Sequence, residues 1–272
     1  MGYLFIIFLA LFTGIFASMN NFGGYYTSDI GVTMNSMSFV FLLVTPILTM
    51  RVFAEERAKK TDQLLYSLPI SVGGIVGAKY LAVLTVFAVP TLLLCVYPVV
   101  FSFFGDVNFV RSYVSIAGFF FMGCALLAIG VFISSLTENQ VVSAIVTFAV
   151  MLLIFFSERI ANALPQTATW SYFAFTACVI LIGLLVFFLI RNYLVALASA
   201  ALLEAALSVV FMVKKSLFIG LFTKFIQTMS VFSRYSDSIN GVINISDFVY
   251  YVSITLLFVF FTVQSVEKRR WS

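Results

Sequence analysis

Glu204 stands alone as an acid deep inside a long apolar run, LASAALLEAALSVV, and is the first place to look for chemistry. An ionised carboxylate at mid-bilayer costs about 3 kcal/mol even on the lenient insertion scale. A residue kept there is a candidate intramembrane functional acid, or else it stays protonated or bonds a neighbouring helix. Little else could join it. Histidine is absent, which removes the commonest general base and metal ligand together. Cys95, Cys124 and Cys178 lie in apolar runs with no paired spacing and read as core-filling residues, giving neither a disulfide framework nor a metal site. The run Gly73-Gly74-Ile75-Val76-Gly77-Ala78-Lys79 superficially resembles a phosphate loop. It fails because Ala78 separates the last glycine from Lys79 and Tyr80 replaces the Mg²⁺-binding hydroxyl. No catalytic residue, metal ligand, cofactor site or nucleotide site is expected in this chain. Gly73 and Gly77 could permit close helix approach or flexibility at a junction.

The densest charge lies in Arg51–Pro69, RVFAEERAKKTDQLLYSLP. Glu55 precedes Lys59 by four residues and Glu56 precedes Lys60 by four, the favoured order for helix pairs worth about 0.2–0.5 kcal/mol each. Helix is therefore expected to run on from the apolar segment before it. Leu64, Leu65 and Leu68 then set an apolar stripe beside the charged face, up to Pro69. A short two-faced helix of this kind is either a solvated charged loop or a docking element for another protein.

The surrounding sequence must position these residues in a membrane. Of 272 residues 62% are hydrophobic and only 10% charged, beyond what a water-soluble fold of this length could bury. A crossing needs about 20 apolar residues in helical form. Candidate spans are 2–18, 36–54, 74–104, 112–133, 141–157, 171–190, 193–213 and 248–266. The fold class is thus all-α, a polytopic membrane helical bundle of about eight crossings; the alternative is six plus a re-entrant pair at 171–213. Residues 1–272 read as one membrane domain with no soluble addition. Pro46 should bend the second span, and Pro90 or Pro98 the outer part of the third. The first span is expected to be a transmembrane helix, because no basic residue or small-residue cleavage site marks a signal peptide.

Charge distribution favours cytoplasmic termini. That side would hold Arg51, Arg57, Lys59, Lys60, Lys79, Arg191, Lys268, Arg269 and Arg270, against Arg111, Arg159, Lys214, Lys215, Lys224 and Arg234 outside. Segment 214–246 is expected to lie at the outer interface. Phe218, Leu221, Phe222, Phe225 and Ile226 recur there at helical spacing, and Ser236–Asn244 reads as a loop. Thr137-Glu138-Asn139-Gln140 fits a capping box, Thr137 bonding forward, at a tight cytoplasmic turn.

The run FAEERAKKTDQLLYSLPISVGGIVGAKYLA resembles the signature of ABC-2 type permeases, where Glu-Glu-Arg precedes Thr-x-x-x-Leu-Leu and Pro. FISSLTENQ at 132–140 and the closing NGVINISDFVYYVSITLLFVFFTVQSVEKRRW extend the resemblance over nearly the whole chain, closest to the gliding-motility-type branch. The family usually opens with a basic amphipathic segment before its first span, and here the sequence starts within that span.

The resemblance implies a permease subunit of the cell membrane that exports an unidentified substrate. ATP and Mg²⁺ would sit on a separate cytoplasmic ATPase, and a second permease copy or a related permease would complete the assembly. It also implies that segment 55–69, with Glu55, Glu56, Arg57, Lys59, Lys60, Thr61, Leu64, Leu65 and Pro69, couples permease to ATPase. Membrane lipid is the expected surrounding; nothing in the sequence suggests nucleic acid. The alternatives are an ATP-independent secondary transporter and an intramembrane enzyme. The first calls for internal repeats and midplane polar residues, the second for converging acids, histidines or a nucleophile–base pair.

Overall fold

A computed structural model describes residues 2–22, 30–62, 70–190 and 193–270. Apolar sequence with every backbone group bonded within its own segment gives helix after helix, and no strand occurs among the described residues. In chain order they are α1 (Gly2–Ala17), α2 (Ile30–Ser38), α3 (Phe41–Thr49), α4 (Ala54–Ala58), α5 (Val72–Leu94), α6 (Tyr97–Phe101) and α7 (Phe109–Leu136). There follow α8 (Gln140–Ala163), α9 (Ala168–Ile190), α10 (Tyr193–Val213), α11 (Leu221–Met229), α12 (Val231–Ile239) and α13 (Ile245–Arg270).

Four stretches are long and apolar enough to cross a membrane among the described residues: Val72–Phe101, Phe109–Leu136, Gln140–Ala163 and Ile245–Arg270. A fifth is broken, Ile30–Ser38 joined to Phe41–Ala58 with a bend of 57°. About eight crossings were expected, and among the described residues four to five are found. Helices α1, α9 and α10 fall where three further crossings were expected, but their described apolar stretches are shorter, Ile6–Asn21, Ala168–Leu181 and Ala200–Val213. The bend also corrects the expectation for Pro46, which lies inside α3 while the break falls earlier, at Phe39 and Val40. Pro46 has no N–H for the carbonyl of Leu42. Just before it the backbone tightens to three-residue spacing, with Leu42 N–H donating to Phe39 and Leu43 N–H to Val40. In the third span the interruption is at Cys95–Val96, between Pro90 and Pro98, near the end where a kink was expected.

Two compact units are distinguished within the chain, one of residues 1–155 with 231–272 and the other of 156–230. In the first, α7 is the central helix, packed against α2, α3, α5, α12 and α13. Glycines let neighbours reach its backbone. A methyl group on Gly123 would collide with the rings of Phe87 and Phe41, and one on Gly130 with Thr45 and Thr49. Around that contact Phe41, Phe87 and Phe119 form a fully buried aromatic cluster, with Phe120 stacked on Phe87.

The segment expected at an outer interface is split between the units. Helix α12 is part of the first, where the buried Tyr235 hydroxyl donates to the Ser115 carbonyl at 3.1 Å. Residues Ser236–Ile239, expected as loop, complete that helix. Next to it Arg234 pairs with the buried Asp247 at 3.0 Å and lies 4.2 Å from the ring centre of Tyr250.

In the second unit α9 packs along α10, and the aromatic stripe of α11 meets α9, with Phe175 edge-on to Phe222. Phe218 is buried there, 5.2 Å from Phe211.

Candidate functional site: a charged clamp at one end of the bundle

Helix α4 holds the first part of the expected coupling segment. Five residues are too few to bond their own ends, so its first amides and last carbonyls need outside partners. The buried Ser134 hydroxyl, near the end of α7, accepts from the Phe53 N–H at 3.2 Å and the Ala54 N–H at 3.3 Å. It also lies 3.4 Å from the Met50 carbonyl, to which it donates. A serine some 80 positions along the sequence thus does for α4 what an N-cap residue usually does locally.

Arg57 extends the tie. Its side chain is only 5% exposed, and its guanidinium donates to the Ser135 carbonyl. That carbonyl belongs to the last turn of α7, where no helical donor remains and a cation meets the negative end of the helix. The Ser265 hydroxyl of α13 donates to the same oxygen at 3.2 Å.

Lys79 closes the third side from α5. It donates to the Val52 carbonyl at 2.8 Å, forms an ion pair with Glu56, and lies 4.5 Å from the centre of the Phe53 ring. Glu138, in the turn after α7, pairs with Arg269 of α13. Helix α4 is therefore fastened to α5 and to the end of α7, and linked to α13 only through the shared Ser135 carbonyl.

Glu55 and Lys59 form the expected pair at 2.6 Å on the exposed face. The hydrogen bond and charge of Lys59 hold the Glu55 carboxyl below its ordinary range. Glu56 does not reach Lys60, because the helix ends first. Lys60 adopts a left-handed conformation, φ 55°, as the Thr61 N–H bonds the Glu56 carbonyl and the Lys60 N–H that of Arg57. These two bonds make a Schellman stop with lysine where glycine is usual. Helix α4 stops at that point, and Asp62 is helical again; Leu64, Leu65 and Pro69, on which the expected continuation falls, lie outside the described residues.

Two neighbouring expectations also change. The N-terminus of α8 is capped by Asn139, whose side-chain oxygen accepts from the Val141 N–H at 2.9 Å, and not by Thr137, which ends α7. Gly73 and Gly77 face open space, so neither makes a close helix contact within the described residues. Among those residues no three His, Cys, Asp or Glu side chains gather to hold a metal ion.

In the second unit, Glu204 bonds a neighbouring helix. Its Oε1 accepts from the Tyr172 hydroxyl at 2.9 Å and the Thr176 hydroxyl at 3.0 Å, both on α9. Tyr172 lies 3.0 Å from Ser208 and stacks on Phe211. The buried Oε2 of Glu204 has no hydrogen-bond partner among the described residues.

The sequence singled out Glu55–Thr61 but missed Lys79, Ser134, Ser135, Ser265 and Arg269. Their one signal was position, each near the end of an apolar run that returns to the same end of the bundle.

A family model described as ABC-2 family transporter protein matches residues 10–170, which takes in α2 through α8 and so all of the clamp except α13. No curated protein and no solved structure matches the chain. With more than half of its length matched, the chain belongs to the ABC-2 transporter family and is a multi-pass membrane permease of an ABC transporter.

Proposed function

Starting from that membership, we propose that the chain is the transport subunit of an exporter driven by ATP hydrolysed on a separate cytoplasmic ATPase. The clamped end would face the cytoplasm, in the cell membrane, with both chain termini on that side. Glu55, Glu56, Arg57, Lys59, Lys60 and Thr61, with Leu64, Leu65 and Pro69 beyond, would couple the chain to the ATPase, the buried Arg57 from within, through α7. ATP and Mg²⁺ would be held by that partner, and this chain would carry no catalytic step of its own. A second copy or a related permease would complete the path. Within the family, the chain would belong to the gliding-motility-type branch that its motifs resemble.

The observation that carries this reading is the attachment of α4. A free charged loop could bind a partner without moving anything. Here a displacement of α4 acts on α7 through Ser134 and Ser135, on α5 through Lys79 and, via the shared Ser135 carbonyl, on α13. A push from closing ATPase subunits would thereby become a rigid-body movement of spans. The broken span at Phe39–Val40 and the interruption at Cys95–Val96 are the places where those spans could flex.

Co-purification with a cytoplasmic ABC ATPase from the same cells tests the reading. Glu55→Lys with Glu56→Lys should weaken the complex and lower ATP-dependent transport. Intact assembly and activity in that double variant would argue against docking there. Transport that persists in vesicles without ATP would favour a secondary transporter.

Glu204 is the proposed intramembrane functional acid, and its unpartnered Oε2 is the observation behind that assignment. Unchanged transport by Glu204→Gln at every pH would leave it a structural role alone.

A further inference from the structure

Beside α4 the ends of α7 and α13 leave a cavity of about 300 Å³, lined by Arg57, Ser135, Leu136, Ser265, Lys268 and Arg269. We propose that this cavity is a binding site for a phosphate group, supplied by an anionic phospholipid headgroup or by a soluble phosphate.

Three of the six lining side chains are cationic and none is acidic. Glu138 pairs with Arg269 from outside the lining. Arg57 is not a mobile surface cation. It is 5% exposed and held by the Ser135 carbonyl, so its position is set before any ligand arrives. Ser265 is fixed through the same carbonyl at 3.2 Å. A fixed guanidinium beside a lysine and a second arginine suits a phosphate, which takes several charge-assisted hydrogen bonds at once. Since water occupies about 30 Å³ in the liquid, the volume has room for a phosphate with its ester arm and some solvent.

Position favours the lipid source. Lys268, Arg269 and Arg270 form the last turn of α13, a stretch apolar enough to cross the membrane, so the cavity mouth lies near headgroup depth. Basic pockets between membrane helices bind anionic headgroups in this setting. The inference needs neither the ATPase nor a particular orientation in the membrane.

The test uses the purified full chain in detergent, with native mass spectrometry and thermal unfolding. Probes are phosphatidylglycerol, phosphatidylcholine, diacylglycerol and inorganic phosphate. Phosphatidylglycerol should give saturable adducts and raise the unfolding midpoint, while phosphatidylcholine and diacylglycerol do neither. Lys268→Gln should weaken that binding about fivefold, equivalent to about 1 kcal/mol for one basic residue. Leu136→Trp, which fills the mouth, should weaken it further. Protection by inorganic phosphate that is lost in Lys268→Gln would support the site with a soluble ligand. Equal binding of phosphatidylcholine and phosphatidylglycerol, or phosphatidylglycerol binding unchanged in Lys268→Gln, would overturn the proposal.

Discussion

The hydroxyl of Ser134 accepts the backbone N–H of Phe53 at 3.2 Å, across 81 positions of sequence, and so caps a helix to which it does not belong. Loss of an ordinary N-cap side chain costs about 1 kcal/mol. Ser134→Ala should lower the thermal midpoint by a corresponding amount, and Ser134→Val by more, because a branched apolar group would stand against two buried donors. In transport assays both should uncouple ATP hydrolysis from movement while leaving ATPase binding in place. Loss of ATPase binding in Ser134→Ala would show that α4 itself had come apart.

Lys60 sits at a left-handed position that costs a residue with a Cβ roughly 1 kcal/mol. Lys60→Gly should therefore stabilise the chain, by up to about that amount if the lost charge contributes nothing. Lys60→Val should destabilise it, since branching at Cβ worsens the strain. Chemical or thermal unfolding of the three proteins in one detergent gives the comparison. The order Gly, Lys, Val is expected, and a glycine variant less stable than wild type would contradict the Schellman stop.

Acid should weaken the outer face of α4. The pair with Lys59 lowers the Glu55 carboxyl in the folded chain, so its contribution is present above the ordinary carboxylate pKa and is lost as pH falls through the lowered one. Wild type and Glu55→Gln should differ slightly near neutrality and converge in that acid range. Thermal unfolding across pH 7 to 3 (roughly the interval that spans ordinary carboxylate titration) reports it. A gap that widens on acidification would reverse the sign and refute the pairing. The effect will be small because both partners are solvated.

Glu204 accepts two hydroxyls from α9, and bonds of this kind between membrane helices average about 0.6 kcal/mol. Glu204→Gln keeps an acceptor at Oε1 and should preserve stability to within that amount, whereas Glu204→Leu should lose both bonds. If the acid also serves transport, the glutamine variant will lose transport while keeping its fold. Equal destabilisation of the two variants would show that the hydrogen bonds to Tyr172 and Thr176 carry no weight.

Much of the helical framework was legible because its signals are local. Apolar runs marked the helices, and the spacing of Glu55 and Lys59 foretold their pair. Local pattern failed where a distant or stereochemical term took over. Glu56 turns to Lys79 because Lys60 has left the helix, and no four-residue rule contains either fact. Ser134 and Ser135 look like any serines in an apolar run; their partners are dozens of positions away and become neighbours only when α4 and α7 pack. Pro46 drew attention as a bend, yet the tightened turns at Phe39–Leu43 take up the deformation first. The count of crossings is a matter of length as well as composition: among the described residues four stretches, or five with the broken pair, are long and apolar enough to span.

The central claim is that α4 is a cytoplasmic handle gripped by the ATPase, and Lys59 on its exposed face is the place to ask. With Cys95, Cys124 and Cys178 replaced by alanine, Lys59→Cys can be labelled with a membrane-impermeant maleimide. The account predicts no labelling in intact cells, labelling in inside-out vesicles, and protection in those vesicles when the ATPase is bound. Labelling of that cysteine in intact cells would contradict it.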